Sequence, residues 1–302
     1  MTSTETVPGI GIEQITVNLT GVRAEWLVPL AQAADRLGFG ALSVGDSIFY
    51  PQESDSRYPY NSTGDRTFLE TIAMLDPFVL LGHLAAVTER IRLQTSVTKV
   101  TVRHPVLVAK QVSSLAVLAE GRIRLGVGMS PWPEDYSVLG IAEQGRGARF
   151  EEALSILRSL VTEGYHEHHG RHYDFDPIKL NPVPVQPIAL LVGGHGTANL
   201  RRAATLGDGW IAAATDHPTL AGLIETVRSA RAEANLDWQG YEVHASGQAD
   251  RSAAGLRQLA DLGVTNVAIR PTPDGMRIDK VAHVIEHMEW LATELDAASC
   301  KN

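Results

Sequence analysis

Cysteine is almost missing from this 302-residue chain: Cys300 stands alone, so no disulfide framework is available. Apolar runs of membrane-spanning length are missing too. The opening "MTSTETVPG" has neither the basic nor the apolar part of a signal peptide. Positive charge is in deficit. Against 35 Asp and Glu there are 26 Lys and Arg, a net charge of -9. That balance argues against general affinity for nucleic acid or for an anionic membrane, though not against a small anion held by a local arginine cluster. What remains is the expectation of a soluble, cytoplasmic, globular protein.

One further absence is local. The stretch 125–135, "LGVGMSPWPED", leaves an apolar run through Gly126 and Gly128. A dinucleotide fingerprint needs another glycine three residues on and then a helix; here that position is Pro131. The phosphate-cradle reading fails. The hydrolase elbow Gly-x-Ser-x-Gly fails as well, since its second glycine is Trp132.

What is present is an alternation. Short apolar runs at 12–18, 41–46, 90–95, 122–127, 188–192, 209–213, 241–246 and 266–270 read as strands. Helical spacing lies between them. Leu27, Leu30, Ala31, Ala34 and Leu37 precede a stop at Gly38, and Leu256, Leu259 and Leu262 precede Gly263. The last and clearest face is Ile278, Val281, Ile285, Met288, Ala292 and Leu295. Parallel strands each need a crossover, and strands buried on both faces read as continuous apolar runs. Eight such units predict an α/β fold, a closed (β/α)8 TIM barrel, as one domain over 1–302 with insertions after strand two and before strand five. Two domains of half this length, or an open doubly wound sheet, are the structural alternatives.

The insertions are 47–66, with Tyr50, Tyr58 and Tyr60, and 163–187, whose prolines suggest an extended arm. The first follows strand two and belongs on the catalytic face of a barrel. Its tyrosines either wall a substrate or pack the loop down. The histidines of 165–172, among them His166, His168 and His169, match no zinc spacing, and no metal is expected. Glu134 and Asp135 read as helix-start acids, and His104-Pro105 as a helix start.

Barrel chemistry is built at the C-terminal strand ends. These carry Asp46-Ser47, Thr95 to Thr98, Gly126 to Met129, Val192 to His195, Ala213 to Thr215, Ser246-Gly247 and Arg270. Titratable groups are few: Asp46, His195 and Arg270. No nucleophile–base pair stands out. A small, backbone-lined floor suits a flat cofactor that carries the chemistry itself, with paired glycines leaving room for its ring. Arg103, Arg201, Arg202 and Arg270 are candidate anion contacts, and Arg270 is the best placed, since barrel phosphate sites use the last strands.

Five segments, taken in order, resemble a known family: "LGFGALSVGDS", "DPFVLLGHLAAVTERIRLQTSVT", "RHPVLVAKQVSSLAVLAEGRIRLGVG", "LNPVPVQ" and "VGGHGTANLRRAATLGDGWIAA". Together they resemble the luciferase-like monooxygenase superfamily, within it the branch of oxidoreductases that use the deazaflavin coenzyme F420. The resemblance implies a (β/α)8 barrel, a deazaflavin or flavin ring over the strand ends, hydride chemistry with a small-molecule substrate, and a homodimer. It places Asp46 beside the ring and, with Ser47, in the catalytic position. It sets Ser96, Val97 and Thr98 behind the ring, with a non-proline cis peptide at Ser96–Val97. Gly128, Met129 and Ser130 would border the ring, and Val192, Gly193, Gly194 and His195 would approach the ribityl chain and phosphate. The chain departs from the family pattern at Ser47, where histidine is frequent, and at Ser130-Pro131, where Gly-Trp is usual. At Asp216 some deazaflavin enzymes have a lysine that meets the phosphate. The departures keep two rivals open: a flavin mononucleotide (FMN) monooxygenase, and a barrel that has lost its redox cofactor.

Overall fold

Each apolar run becomes a strand. A computed structural model describes residues 9–61, 63–246, 252–272 and 279–299. Its strands are β1 (Ile15–Asn18), β2 (Ala41–Val44), β3 (Arg92–Thr95), β4 (Thr98–Lys99), β5 (Ile123–Gly128), β6 (His166–His169), β7 (Asp174–Ile178), β8 (Ala189–Gly193), β9 (Gly209–Ala212), β10 (Glu242–Ser246) and β11 (Asn266–Ile269). Eight of them pair in parallel in the order β3-β2-β1-β11-β10-β9-β8-β5, and β3 pairs with β5 to close the ring. The expected (β/α)8 barrel is what forms. Gly247, Ile278 and Cys300 lie outside the described residues.

Crossover helices cover the ring. α1 (Ala24–Leu37) ends at Gly38, whose φ of 85° suits a residue without a side chain. The short α2 (Phe68–Thr71) precedes α3 (Pro77–Ala85), where the Asp76 carboxylate accepts from the Phe78 and Val79 N–H groups. α4 (Pro105–Leu118) opens at His104-Pro105 as expected. Then come α5 (Pro133–Val138), α6 (Arg146–Leu160), α7 (Thr197–Leu206), α8 (His217–Glu233), α9 (Ala253–Asp261) and α10 (Val281–Ser299).

Alternation along the strands divides the interior in two. Ile15, Val17, Leu42, Val44, Leu93, Ile123, Leu125 and Val127 join the apolar core beneath the helices. Burying each such side chain contributes about 1.5–3 kcal/mol. The intervening Thr16, Ser43, Gln94, Arg124 and His244 are buried as well and face the barrel axis. Barrel interiors usually stack branched aliphatics in layers; here Leu191 and Ile211 share the interior with these polar side chains. Arg124 pairs with Glu242 at 3.3 Å, and Glu242 with His244 at 2.6 Å.

Segment 163–187 is not simply an extended arm. β6 and β7 form an antiparallel hairpin within it, and the stretch that follows, 179–187, lacks regular structure. Glu152 on α6 ties the hairpin turn down by accepting from the N–H groups of Arg171, His172 and Tyr173 at 3.2, 2.9 and 3.2 Å. Proline cannot donate to a strand pair, which explains the irregular 179–187; the hairpin itself carries no turn signal strong enough to predict.

Candidate functional site

The C-terminal end of the barrel begins at Asp46, just past β2. Its side chain is 1% exposed and forms a bidentate ion pair with Arg103, whose Nη2 donates to Oδ1 at 2.9 Å and whose Nη1 donates to Oδ2. The Lys99 N–H also donates to Oδ2, at 2.9 Å. Both oxygens are therefore engaged, and Asp46 anchors β4 and Arg103 to the end of β2. Ser47 lies half-buried beside it.

Between β3 and β4 the Ser96–Val97 peptide is cis, as the resemblance implied. Ser96 N–H donates to the Val44 carbonyl at 2.7 Å. The Val97 side chain gives the strand-end glycines a neighbour the sequence did not show. A Cβ on Gly128 would lie 2.7 Å from Val97 Cγ2, and one on Gly193 3.1 Å from Val97 Cγ1. A Cβ on Gly126 would lie 1.9 Å from the Thr95 carbonyl oxygen. These glycines make room for the protein's own bulge after β3, not directly for a ring. Gly194 takes a φ of 120°, and its carbonyl accepts from Trp210 Nε1 at 2.9 Å. Thr98 is fully buried, and its Oγ1 has no hydrogen-bond partner among the described residues.

His195 follows β8. Its Nε2 accepts the Ala213 N–H at 2.9 Å, so the neutral ring carries its proton on Nδ1. Burial holds its pKa below 6.5, favouring that neutral form. Val192 is buried beneath it, and Met129 packs partly buried against the core.

Loop 47–66 crosses this mouth. Tyr60 meets His195 edge-on at 5.5 Å, and Tyr58 stacks on Trp132 at 6.1 Å. Tyr58 also touches Tyr60 and Phe68 edge-on at 5.7 and 5.4 Å. The Arg66 guanidinium lies 4.5 Å from the Trp132 ring and 5.5 Å from Tyr50. Glu134 latches the loop: it accepts from Ser54 Oγ and Ser56 Oγ and pairs with Arg66 at 3.3 Å. Burial pushes the Glu134 carboxyl up, but those hydrogen bonds and the Arg66 charge outweigh it and hold its pKa below the usual range. Burial raises the phenols of Tyr58 and Tyr60; the charge of Arg270, past the end of β11, opposes this at Tyr58.

Several side chains that sequence reasoning passed over belong to this site. Asp135 is no surface helix-start acid: it is 1% exposed and pairs with the buried Lys99 at 2.7 Å. Glu134, the lid latch, is also more than a helix-start charge. Thr101 and Tyr136 complete the set, and Arg103, a candidate anion contact by sequence, is committed to Asp46. A lysine set within the run "TSVTKV" was the available signal, since a lone charge among β-branched residues demands a partner. Asp216 caps α8, accepting from the Thr219 N–H at 2.7 Å. Arg202 pairs with Glu151 on the outside. His166, His168 and His169 lie on the hairpin, facing Thr162, Glu152 and Asp174. Among the described residues no group of three or more His, Cys, Asp or Glu could hold a metal ion, and no helix is long and apolar enough to cross a membrane.

The family model described as luciferase-like monooxygenase matches residues 12–260. The chain belongs to that family. An uncharacterized protein of Mycobacterium tuberculosis, Rv0940c, is 44% identical over 242 residues, covering 80% of this chain and 83% of the relative. An F420-dependent glucose-6-phosphate dehydrogenase of Nakamurella multipartita is 31% identical over 200 residues, 64% of this chain and 53% of that protein. Among solved structures, the coenzyme F420-dependent tetrahydromethanopterin reductase of Methanopyrus kandleri superposes with a TM-score of 0.73. It is 13% identical, and the match covers 94% of this chain and 98% of that one, so it speaks for the fold alone. Membership in the luciferase-like family makes the chain a relative of oxidoreductases and monooxygenases.

Proposed function

We propose that this protein is an oxidoreductase that binds coenzyme F420 over the C-terminal strand ends and exchanges a hydride between it and a small organic substrate. The observation that carries the reading is the platform at the mouth. Val97 sits against Gly128 and Gly193, and Thr98 beside it keeps a buried, unpartnered hydroxyl. A flat ring edged with carbonyl groups fits such a surface, which offers the Ser96 hydroxyl and the Nδ1–H of His195. Arg270 lies at the rim for the anionic tail. The group supplies hydride acceptance and donation when bound; the chain supplies position and exclusion of water.

The roles of the other residues follow from their contacts. Asp46 and Arg103 hold the backbone beside the platform. Met129 and Ser130 border it, and Val192, Gly193 and Gly194 offer backbone at the side of His195. The aromatic lid of Tyr50, Tyr58 and Tyr60 shields the mouth and walls the substrate. An FMN-dependent monooxygenase is the second reading, favoured by the description of the family model itself. We also infer a cytoplasmic homodimer. Val79 on α3 and Leu107 and Leu118 on α4 are 73, 64 and 69% exposed on neighbouring helices, and a second copy would cover them.

Titrating the purified protein with F420 and with FMN, followed by their distinct visible bands, tests the reading. Saturable F420 binding at least about tenfold tighter than FMN, or about 1.4 kcal/mol, is expected. Tighter FMN binding selects the second reading. Binding of neither refutes both and leaves the barrel without its redox cofactor.

A further inference from the structure

Asp135 and Lys99 form an ion pair in the interior, with 1% and 6% of their side chains exposed. Asp135 Oδ2 takes two donors: Lys99 Nζ at 2.7 Å and Ser130 Oγ at 2.5 Å. Ser130 Oγ in turn accepts the Trp132 N–H at 3.1 Å. The Ser130 carbonyl accepts from Tyr136 O–H at 3.2 Å. Trp132 then carries the lid, with Tyr58 stacked on it and Arg66 over its ring. A continuous line of contacts runs from the end of β4 through Lys99, Asp135, Ser130 and Trp132 to Tyr58.

Stability alone does not account for the pair. Burying a carboxylate and an ammonium costs several kcal/mol per ion, and apolar residues of the same volume often do as well or better. An apolar pair could not orient the Ser130 hydroxyl. With Asp135 accepting its proton, the Oγ lone pairs face the Trp132 N–H, which fixes the turn into α5.

We propose that Asp135 is a positioning residue for the mouth: held by Lys99, it fixes Ser130 and Trp132, and through the Trp132 ring it docks the lid. The role deepens the reading of the mouth as a cofactor and substrate site and rests on that reading for its meaning, but its test does not need a cofactor.

Arg57 is an exposed trypsin site within the lid. When reclosing is fast, cleavage there tracks the population of the open lid. Two double variants separate an oriented acceptor from mere packing. Lys99→Met with Asp135→Leu removes both charge and acceptor. Lys99→Met with Asp135→Asn removes the charge but leaves an amide oxygen for Ser130. The first is expected to be cut at Arg57 at least about tenfold faster than the unmodified protein, the second within about threefold of it. Ser130→Ala keeps the ion pair and breaks the same link from the other side. It is expected to match the leucine variant, and it decides the matter if that variant does not fold. Equal cleavage of the leucine and asparagine variants, or an undisturbed lid in Ser130→Ala, overturns the proposal. F420 and FMN titration of the unmodified protein is run alongside. If neither binds while cleavage behaves as stated, the functional reading falls and the positioning role stands.

Discussion

Gly126 and Gly128 lie two residues apart on β5, and changing each to alanine separates two kinds of close approach. At Gly128 the new Cβ meets a side-chain methyl, Val97 Cγ2, at 2.7 Å. Val97 must give way, so Gly128→Ala is expected to cost about 1–3 kcal/mol, the range for an overpacked core. Trimming the obstacle should relieve it. Val97→Ala removes two methyl groups and costs about 1.6 kcal/mol of burial by itself. The double variant is then expected to be no less stable than Val97→Ala alone, a coupling of at least about 1 kcal/mol. At Gly126 the new Cβ meets the Thr95 carbonyl oxygen at 1.9 Å; Ile211 Cδ1 is also near, at 3.0 Å, but the clash is with backbone, which trimming a side chain cannot relieve. β3 and β5 must move apart where they close the barrel, so the cost is expected to exceed about 3 kcal/mol, with no rescue from Val97→Ala. Urea titrations followed by circular dichroism give each value from the midpoint and slope. A Gly128→Ala protein within about 0.5 kcal/mol of the parent refutes the reasoning, as does a cost that Val97→Ala fails to relieve.

Asp46→Asn removes the bidentate partner of Arg103 and leaves it only the more distant Asp76, at 3.7 Å, so stability is expected to fall by about 3 kcal/mol in urea; an unchanged midpoint would show that Asp46 is not an anchor. Glu134 is held below its ordinary value of 4.5, so the folded protein favours its ionised form. Its contribution is present above pH 4.5 and lost as pH falls through the lowered folded value. Glu134→Gln should therefore reduce the fall in stability across that window, and an identical pH profile in the two proteins contradicts the latch. His195 should appear in nitrogen-15 spectra as the Nδ1–H tautomer, titrating below 6.5. Its preference for the neutral form stabilises the fold above 6.5 and is lost as pH falls through the lowered value. An Nε2–H signal rules out the bond to Ala213.

The barrel was legible because its signals are local and repeated. All eight strand runs and the stop at Gly38 follow from periodicity and punctuation. The place of loop 47–66 was legible, since a loop after strand two of a barrel has one face to lie on; the choice between walling a substrate and packing the loop down was not. The ion pairs were not legible. Asp46 and Arg103 are 57 positions apart, Lys99 and Asp135 36 apart, and a single sequence does not pair charges across such distances. Asp135 was misread for a physical reason: acids in a first helical turn usually face solvent and favour the N-terminus of the helix. Burial turned that position inward. The glycines were misread for a related one, because a missing Cβ marks a close approach without saying what approaches.

The departures from the family pattern look different once their neighbours are known. Ser130 replaces a residue without a side chain and brings a hydroxyl that binds both the Asp135 carboxylate and the Trp132 N–H. Pro131 lies between them without a donor of its own. The turn it stiffens therefore depends on that hydroxyl. Asp216 stands where a basic residue could meet an anionic tail, but its carboxylate is committed to the first turn of α8. A cap of this kind has its charge neutralised in part by the helix end, which weakens its repulsion of a passing anion. Neither change removes a wall from the mouth. Both spend side chains on holding backbone in place, which leaves the Val97 platform and His195 at the mouth. Here Ala213 N–H, Val44 O and three glycines fix them on the same barrel end.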